Sequence, residues 1–140
     1  MGTALGAWGV VYTAGRANAV VADTGAIDRM TSHVEAQRML GDQGSYETAL
    51  REYLVWLDRR RATHGPLFDQ SAILTDMVLT HGRLALLAEG RGEVAVADSH
   101  FASALAQCPG AFNRLCSRES LRSALERLDS LVRHGDAEKK

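Results

Sequence analysis

LALLAEGRGEVAVADSHFASALAQCP, residues 84–109, is the stretch of the chain that decides its fold. Apolar residues recur at helical spacing on both sides of the Gly-Arg-Gly break at 90–92, which predicts two helices joined by a short turn. Small residues alternate with large ones on both predicted helices, and this alternation allows close packing of one helix against the other. The positions that carry the pattern are Leu84, Ala97, Phe101, Ala104 and Pro109.

The whole chain has the composition of an all-α protein. Of its 140 residues, 46% are hydrophobic and only 6% are aromatic, and alanine and leucine supply most of the hydrophobic fraction. Breaks at 41–44, 64–66, 90–92 and 109–110 divide it into about five helices. We expect antiparallel helical hairpins that form one domain over residues 26–135, followed by a disordered tail at 136–140.

The second predicted helix has the most regular apolar stripe, and several helices carry start or stop signals. The stripe consists of Tyr46, Ala49, Leu50, Tyr53, Leu54 and Leu57. Ser45 is expected to cap this helix, Pro66 to begin the third, and Ser117 to cap the fifth. We expect the fourth helix to turn Val94 inward and the fifth to end at Gly135.

The second and fourth predicted helices share a small-to-large pattern, in which an alanine is followed four residues later by an aromatic residue. The two pairs are Ala49 with Tyr53 and Ala97 with Phe101. With the glycines that precede both helices, this pattern resembles the tetratricopeptide repeat, most fully over residues 78–111 and partially over residues 30–63. The chain departs from that repeat at His81, where the family favours tryptophan, and at Ala85 and Ala88, where it favours glycine and tyrosine.

The resemblance implies a non-catalytic scaffold whose helical surface binds a partner protein, with no cofactor. The candidate partner-binding residues, taken from the first helix of each unit, are His33, Gln37, His81 and Arg83. The net charge of -1, with both signs interleaved, gives no electrostatic basis for binding nucleic acid. The alternative function is a structural or accessory subunit of a larger membrane complex, with its N-terminal helix buried against partners.

An apolar N-terminal helix is expected over residues 1–25. No charged side chain occurs in residues 1–15, and a segment of this length is shorter than the roughly 20 residues that cross a bilayer. Two interpretations remain open: this helix packs on the domain, or it is the end of a membrane anchor. The candidates for membrane or partner contact are Leu5, Trp8, Val11 and Tyr12.

Cys108 and Cys116 lie on either side of the turn that precedes the last helix. They fit either a disulfide, which is typical of an oxidising compartment, or a pair of reduced thiols. Lys139 and Lys140 are the only lysines among many arginines, a bias common in bacterial proteins. Together with the disulfide and the membrane-anchor interpretations, this bias favours a membrane-associated setting in a bacterial envelope over the cytoplasm. No metal site is expected, because the nearest histidines lack a convincing spacing with this pair.

The sequence contains no catalytic motif, and no catalytic residue is assigned. The nearest approach to one is a loose group of titratable residues in the third and fourth predicted helices. Its members are Asp76, His81, Glu89, Asp98 and His100. A small helical enzyme that uses this group is therefore the third and least favoured function, since Asp76 and His81 are five positions apart and do not share a ridge of one helix.

Overall fold

A computed structural model describes residues 25–63, 70–111 and 116–138 of the chain, and all regular structure in these ranges is helical. The prediction of an all-α protein is therefore confirmed. The elements are α1 (residues 25–40), α2 (Gln43–Thr63), α3 (Gln70–Gly90), α4 (Val94–Gln107), a short 3-10 turn (Cys108–Gly110) and α5 (Arg118–Glu138). Within the described ranges, no helix is long and apolar enough to cross a membrane.

The turn between α1 and α2 combines a glycine with an acidic cap. Gly41 has φ of +77°, a left-handed conformation that ends α1 and that residues with a Cβ rarely adopt. The carboxylate of Asp42 accepts hydrogen bonds from the backbone N–H groups of Gly44 at 3.0 Å and Ser45 at 3.4 Å. The prediction that Ser45 caps α2 is thus wrong: α2 already begins at Gln43, so Asp42 is the residue within reach of the free N–H groups.

The turn between α3 and α4 forms where the sequence predicted it. Gly92 also has φ of +77°, and its N–H donates to the carbonyl of Glu89 at 3.0 Å. The N–H of Glu93 donates to the carbonyl of Ala88 at 2.9 Å. These two bonds satisfy the carbonyls of Ala88 and Glu89 in the last turn of α3, where the helix ends.

Helix α3 lies between two hydrophobic clusters and contributes to both. The first cluster joins α1, α2 and α3, and the second joins α3, α4 and α5. The buried members of the first are Val34, Tyr46, Ala49, Leu50, Tyr53, Leu57, Ile73, Met77 and Leu84; those of the second are Val78, Ala85, Phe101, Ala104, Cys108, Leu121 and Leu125. The apolar stripe predicted for α2 is confirmed, with Leu54 partly buried at its edge.

Helix α5 packs on α3 at a glycine. A Cβ atom added to Gly82 would lie 2.9 Å from Leu125 Cδ1 and 3.0 Å from Leu121 Cδ2, closer than carbon atoms pack without repulsion. The hydroxyl of Ser117 accepts a hydrogen bond from the N–H of Ser120 at 3.1 Å, which confirms the predicted cap of α5. A disulfide between Cys108 and Cys116, with Cα atoms 5.4 Å apart, links the end of α4 to the start of α5.

Two further expectations differ from the structure. Val94 is not turned inward but is 66% exposed, because side chains point towards the N-terminus of their helix and α4 begins beyond the end of α3. Helix α5 continues past Gly135 to Glu138. The predicted start of α3 at Pro66 and the N-terminal candidates Leu5, Trp8, Val11 and Tyr12 lie outside the described residues.

Candidate partner-binding groove

A groove of about 140 Å³ opens between α1 and α3, and α2 forms its floor. Its lining residues are Thr31, Val34 and Glu35 of α1, Leu50 and Tyr53 of α2, and Asp76, Leu79, Thr80 and Arg83 of α3. The deepest part of the groove is lined by Val34 of α1 and by Leu50 and Tyr53 of α2, which are almost fully buried. Both walls carry polar groups, and those of the α3 wall, Asp76, Thr80 and Arg83, recur at helical spacing.

A hydrogen bond between Tyr53 and Asp76 ties the floor of the groove to its wall. The Tyr53 hydroxyl donates to the Oδ2 atom of Asp76. Burial raises the pKa of the Tyr53 phenol, and the hydrogen bond to Asp76 raises it further. The phenol therefore stays protonated and keeps its donor role over the whole physiological pH range.

The other charged residues of the groove are compensated by partners. Arg83 donates to Asp129 of α5 at 2.8 Å and to the Tyr46 hydroxyl at 3.3 Å. Glu35 forms an ion pair with Arg38 at 2.7 Å on the same helix. Asp76 forms no ion pair with any described residue, and its second carboxylate oxygen accepts no hydrogen bond from one.

The structure does not bring the four sequence-predicted binding residues together. Arg83 lines the groove. His33 and Gln37 instead line a shallow surface depression with residues of α2, among them Thr48 and Glu52. His81 lines a third cavity on another side of α3, between α2 and α4.

His81 meets His100 of α4 on that side. Their Nδ1 atoms lie 3.2 Å apart, a distance that allows an N–H···N hydrogen bond between two neutral rings. Burial, together with the neighbouring His100, lowers the pKa of His81 to about 4, although the charge of Asp58 opposes this shift. Burial also lowers the pKa of His100, assisted by Arg51 and opposed by Glu47.

Apart from the contact between His81 and His100, the loose group of titratable residues considered for catalysis is dispersed. Asp76 binds Tyr53 in the groove, whereas Glu89 and Asp98 form separate surface ion pairs with Arg122 and Arg118. In the described part of the chain, no three His, Cys, Asp or Glu residues are placed to hold a metal ion together.

Sequence reasoning identified Arg83 but missed the role of Asp76 as a wall residue of the groove. A signal was present, because Asp76, Thr80 and Arg83 are polar positions at i, i+4 and i+7, a spacing that places them on one face of α3. The spacing does not identify the partner of Asp76, because Tyr53 lies on a different helix.

Comparisons with known proteins add no identification. The chain matches no protein-family model, no curated protein and no solved structure.

Proposed function

We propose that the protein is a non-catalytic interaction scaffold, similar in shape to a tetratricopeptide repeat, that binds a partner protein in the groove between α1 and α3. The observation that carries the proposal is the position of the groove. Residues 30–63 and 78–111 are the two repeat-like units of the sequence, and the groove lies between the first helices of these units. A second unit stacked on the first leaves a cleft of this kind on one side.

Contacts between neighbouring helices support a hairpin arrangement. Glu47, near the start of α2, pairs with Arg91, just after α3, at 2.9 Å. Tyr53, further along α2, contacts Asp76, which is earlier in α3. This order is that of two helices running in opposite directions. Buried alanines, among them Ala49 and Ala97, permit the close approach that such hairpins need.

The size and lining of the groove support a macromolecular partner. Its volume of about 140 Å³ is below the roughly 300 to 1,000 Å³ typical of small-molecule sites. A groove of this size accommodates one side chain of a partner that lies across α1 and α3.

The disulfide supports an extracytoplasmic setting, such as the bacterial envelope. Cys108 and Cys116 are bonded to each other, and such bonds persist mainly in oxidising compartments. The partner is then a protein of the same compartment.

Site-specific photo-crosslinking of the full chain in cells tests the proposal. A photoreactive phenylalanine derivative replaces Leu79 in the groove, and the matched control replaces Val94, which is 66% exposed and lies outside it. We expect a discrete protein adduct from position 79 that is absent from position 94.

A blocking variant makes the test specific for the groove. Thr31→Trp places a bulky side chain at the α1 wall, so the adduct from position 79 should disappear, whereas Val94→Trp should leave it unchanged. The proposal is wrong if no adduct forms, or if both positions give the same adduct whether or not the groove is blocked.

A further inference from the structure

We infer that the groove between α1 and α3 is selective for a cationic side chain, an arginine or a lysine of the partner protein, whose charged group pairs with Asp76. This inference rests on the proposed function and gives the partner a defined chemistry. Its basis is the contrast between Asp76 and the other charged groups of the groove.

Within the described ranges, no cationic side chain compensates the negative charge of Asp76 in the groove. The charge of Glu35 is balanced by Arg38, and that of Arg83 by Asp129. No lysine or arginine among the described residues pairs with Asp76, whose only side-chain partner there is the neutral phenol of Tyr53. Asp76 is partly buried, and a cation that reaches its carboxylate makes a charge-assisted hydrogen bond, which is stronger than one between neutral groups.

Tyr53 prepares the carboxylate for this role. The phenol binds Oδ2, which fixes the orientation of the carboxylate while Oδ1 stays available to a second donor. Tyr53 is itself only 5% exposed and belongs to the core. The acceptor is therefore held in place before a partner arrives, which lowers the entropic cost of binding.

The apolar lining complements the stem of the incoming side chain. Arginine and lysine carry three or four methylene groups below the charged group. Val34, Leu50 and Leu79 line the same groove as Asp76, so the methylene groups replace water against these side chains. Arg83 does not oppose the cation strongly: it lies seven residues along α3, about 10 Å away, and it is neutralised by Asp129.

Asp76→Asn is the decisive variant, because it removes the charge and keeps an oxygen that accepts the Tyr53 hydrogen bond. Asp58→Asn is the matched control, since it removes one negative charge from an exposed residue of α2 outside the groove. The probes are the N-acetyl, N-methylamide derivatives of arginine and of citrulline, its neutral analogue. Binding to the full chain is followed by the amide NMR signals of Asp76, Leu79 and Thr80.

We expect the arginine derivative to shift these signals in a saturable way and to bind about tenfold or more tightly than the citrulline derivative. Asp76→Asn should remove this preference, and Asp58→Asn should preserve it. The inference is overturned if neither probe shifts the groove signals, if both bind equally, or if the two variants behave alike.

A display experiment separates this inference from the proposed function. Peptides selected from a random library against the full chain, and shown by competition with Thr31→Trp to occupy the groove, should share a lysine or arginine and lose affinity for Asp76→Asn. Groove-binding peptides without a basic residue would overturn the cation preference while leaving the groove a protein-binding site. If photo-crosslinking gives no adduct from the groove, the proposed function itself is wrong.

Discussion

The Nδ1 atoms of His81 on α3 and His100 on α4 lie 3.2 Å apart, so both rings cannot be protonated without bringing two positive charges into contact. Asp58 and Glu47 of α2 offset part of this repulsion, and Arg51 adds to it. The pair links two helices of the second hydrophobic cluster. Its protonation is therefore coupled to the stability of the fold.

Acidification should destabilise the protein through this pair. The pKa of His81 is about 4 in the folded protein against 6.5 in the unfolded chain, so the unfolded state binds more protons between these values. The protonation of His81 therefore has no effect on the free energy of unfolding above pH 6.5, lowers it as the pH decreases towards 4, and adds little further loss below pH 4. Because both rings are partly exposed, we expect His81 to contribute about 1 to 2 kcal/mol of this loss.

Urea unfolding across this pH interval measures the effect. The double variant His81→Gln, His100→Gln should show a smaller loss of stability than the wild type, whereas His33→Gln, at an exposed position of α1, should match the wild type. An unchanged pH dependence in the double variant would show that the pair does not carry the effect.

Gly82→Ala should destabilise the packing of α5 on α3. The added methyl group meets Leu125 Cδ1 at 2.9 Å and Leu121 Cδ2 at 3.0 Å, and over-packing of this kind costs about 1 to 3 kcal/mol. Urea unfolding monitored by circular dichroism gives the change in the free energy of unfolding.

Gly90→Ala is the control for the Gly82 substitution. No atom lies within 4 Å of a Cβ built at this last residue of α3, so the same chemical change should be neutral or stabilising by up to about 1 kcal/mol. If both substitutions change the free energy of unfolding equally, the close contact of Gly82 with α5 does not cause the destabilisation.

Removal of the disulfide should lower stability without changing the fold. Replacing Cys108 and Cys116 by alanine opens a loop with a sequence separation of 8, for which the chain-entropy account gives a loss of about 2 to 3 kcal/mol. Thermal unfolding of the double variant measures the loss, and reduction of the wild type should have a similar effect. If reduction leaves the melting temperature unchanged, the bond contributes little constraint.

Asp129→Ala should lower the free energy of unfolding by more than the removal of a surface carboxylate does. It leaves the guanidinium of Arg83, whose side chain is only 16% exposed, without its carboxylate partner, and such a loss costs about 1 to 3 kcal/mol. Asp98→Ala breaks the exposed pair with Arg118 and should change stability by less than about 0.5 kcal/mol. If the unfolding curves of the two variants coincide, the predicted ranking of their stability losses is wrong.

The sequence alone determined the local features of the protein. It predicted an all-α fold, chain breaks within 41–44 and 90–92, the buried stripe of α2 and the Ser117 cap of α5, and the structure contains these features, with the first break limited to residues 41 and 42. These features depend on helical periodicity and on residues close together in the chain, such as a glycine that adopts positive φ. The cysteine pair was an intermediate case, because spacing allowed both a disulfide and two thiols.

Tertiary structure decided which helix faces meet and therefore where the candidate site lies. Tyr53 and Asp76 are 23 positions apart, and His81 and His100 are 19 apart; no local pattern links the members of either pair. The exposure of Val94 and the separation of His33, His81 and Arg83 onto different surfaces have the same origin. Periodicity defines the faces of one helix, whereas the neighbour of each face is set by the packing of all the helices together.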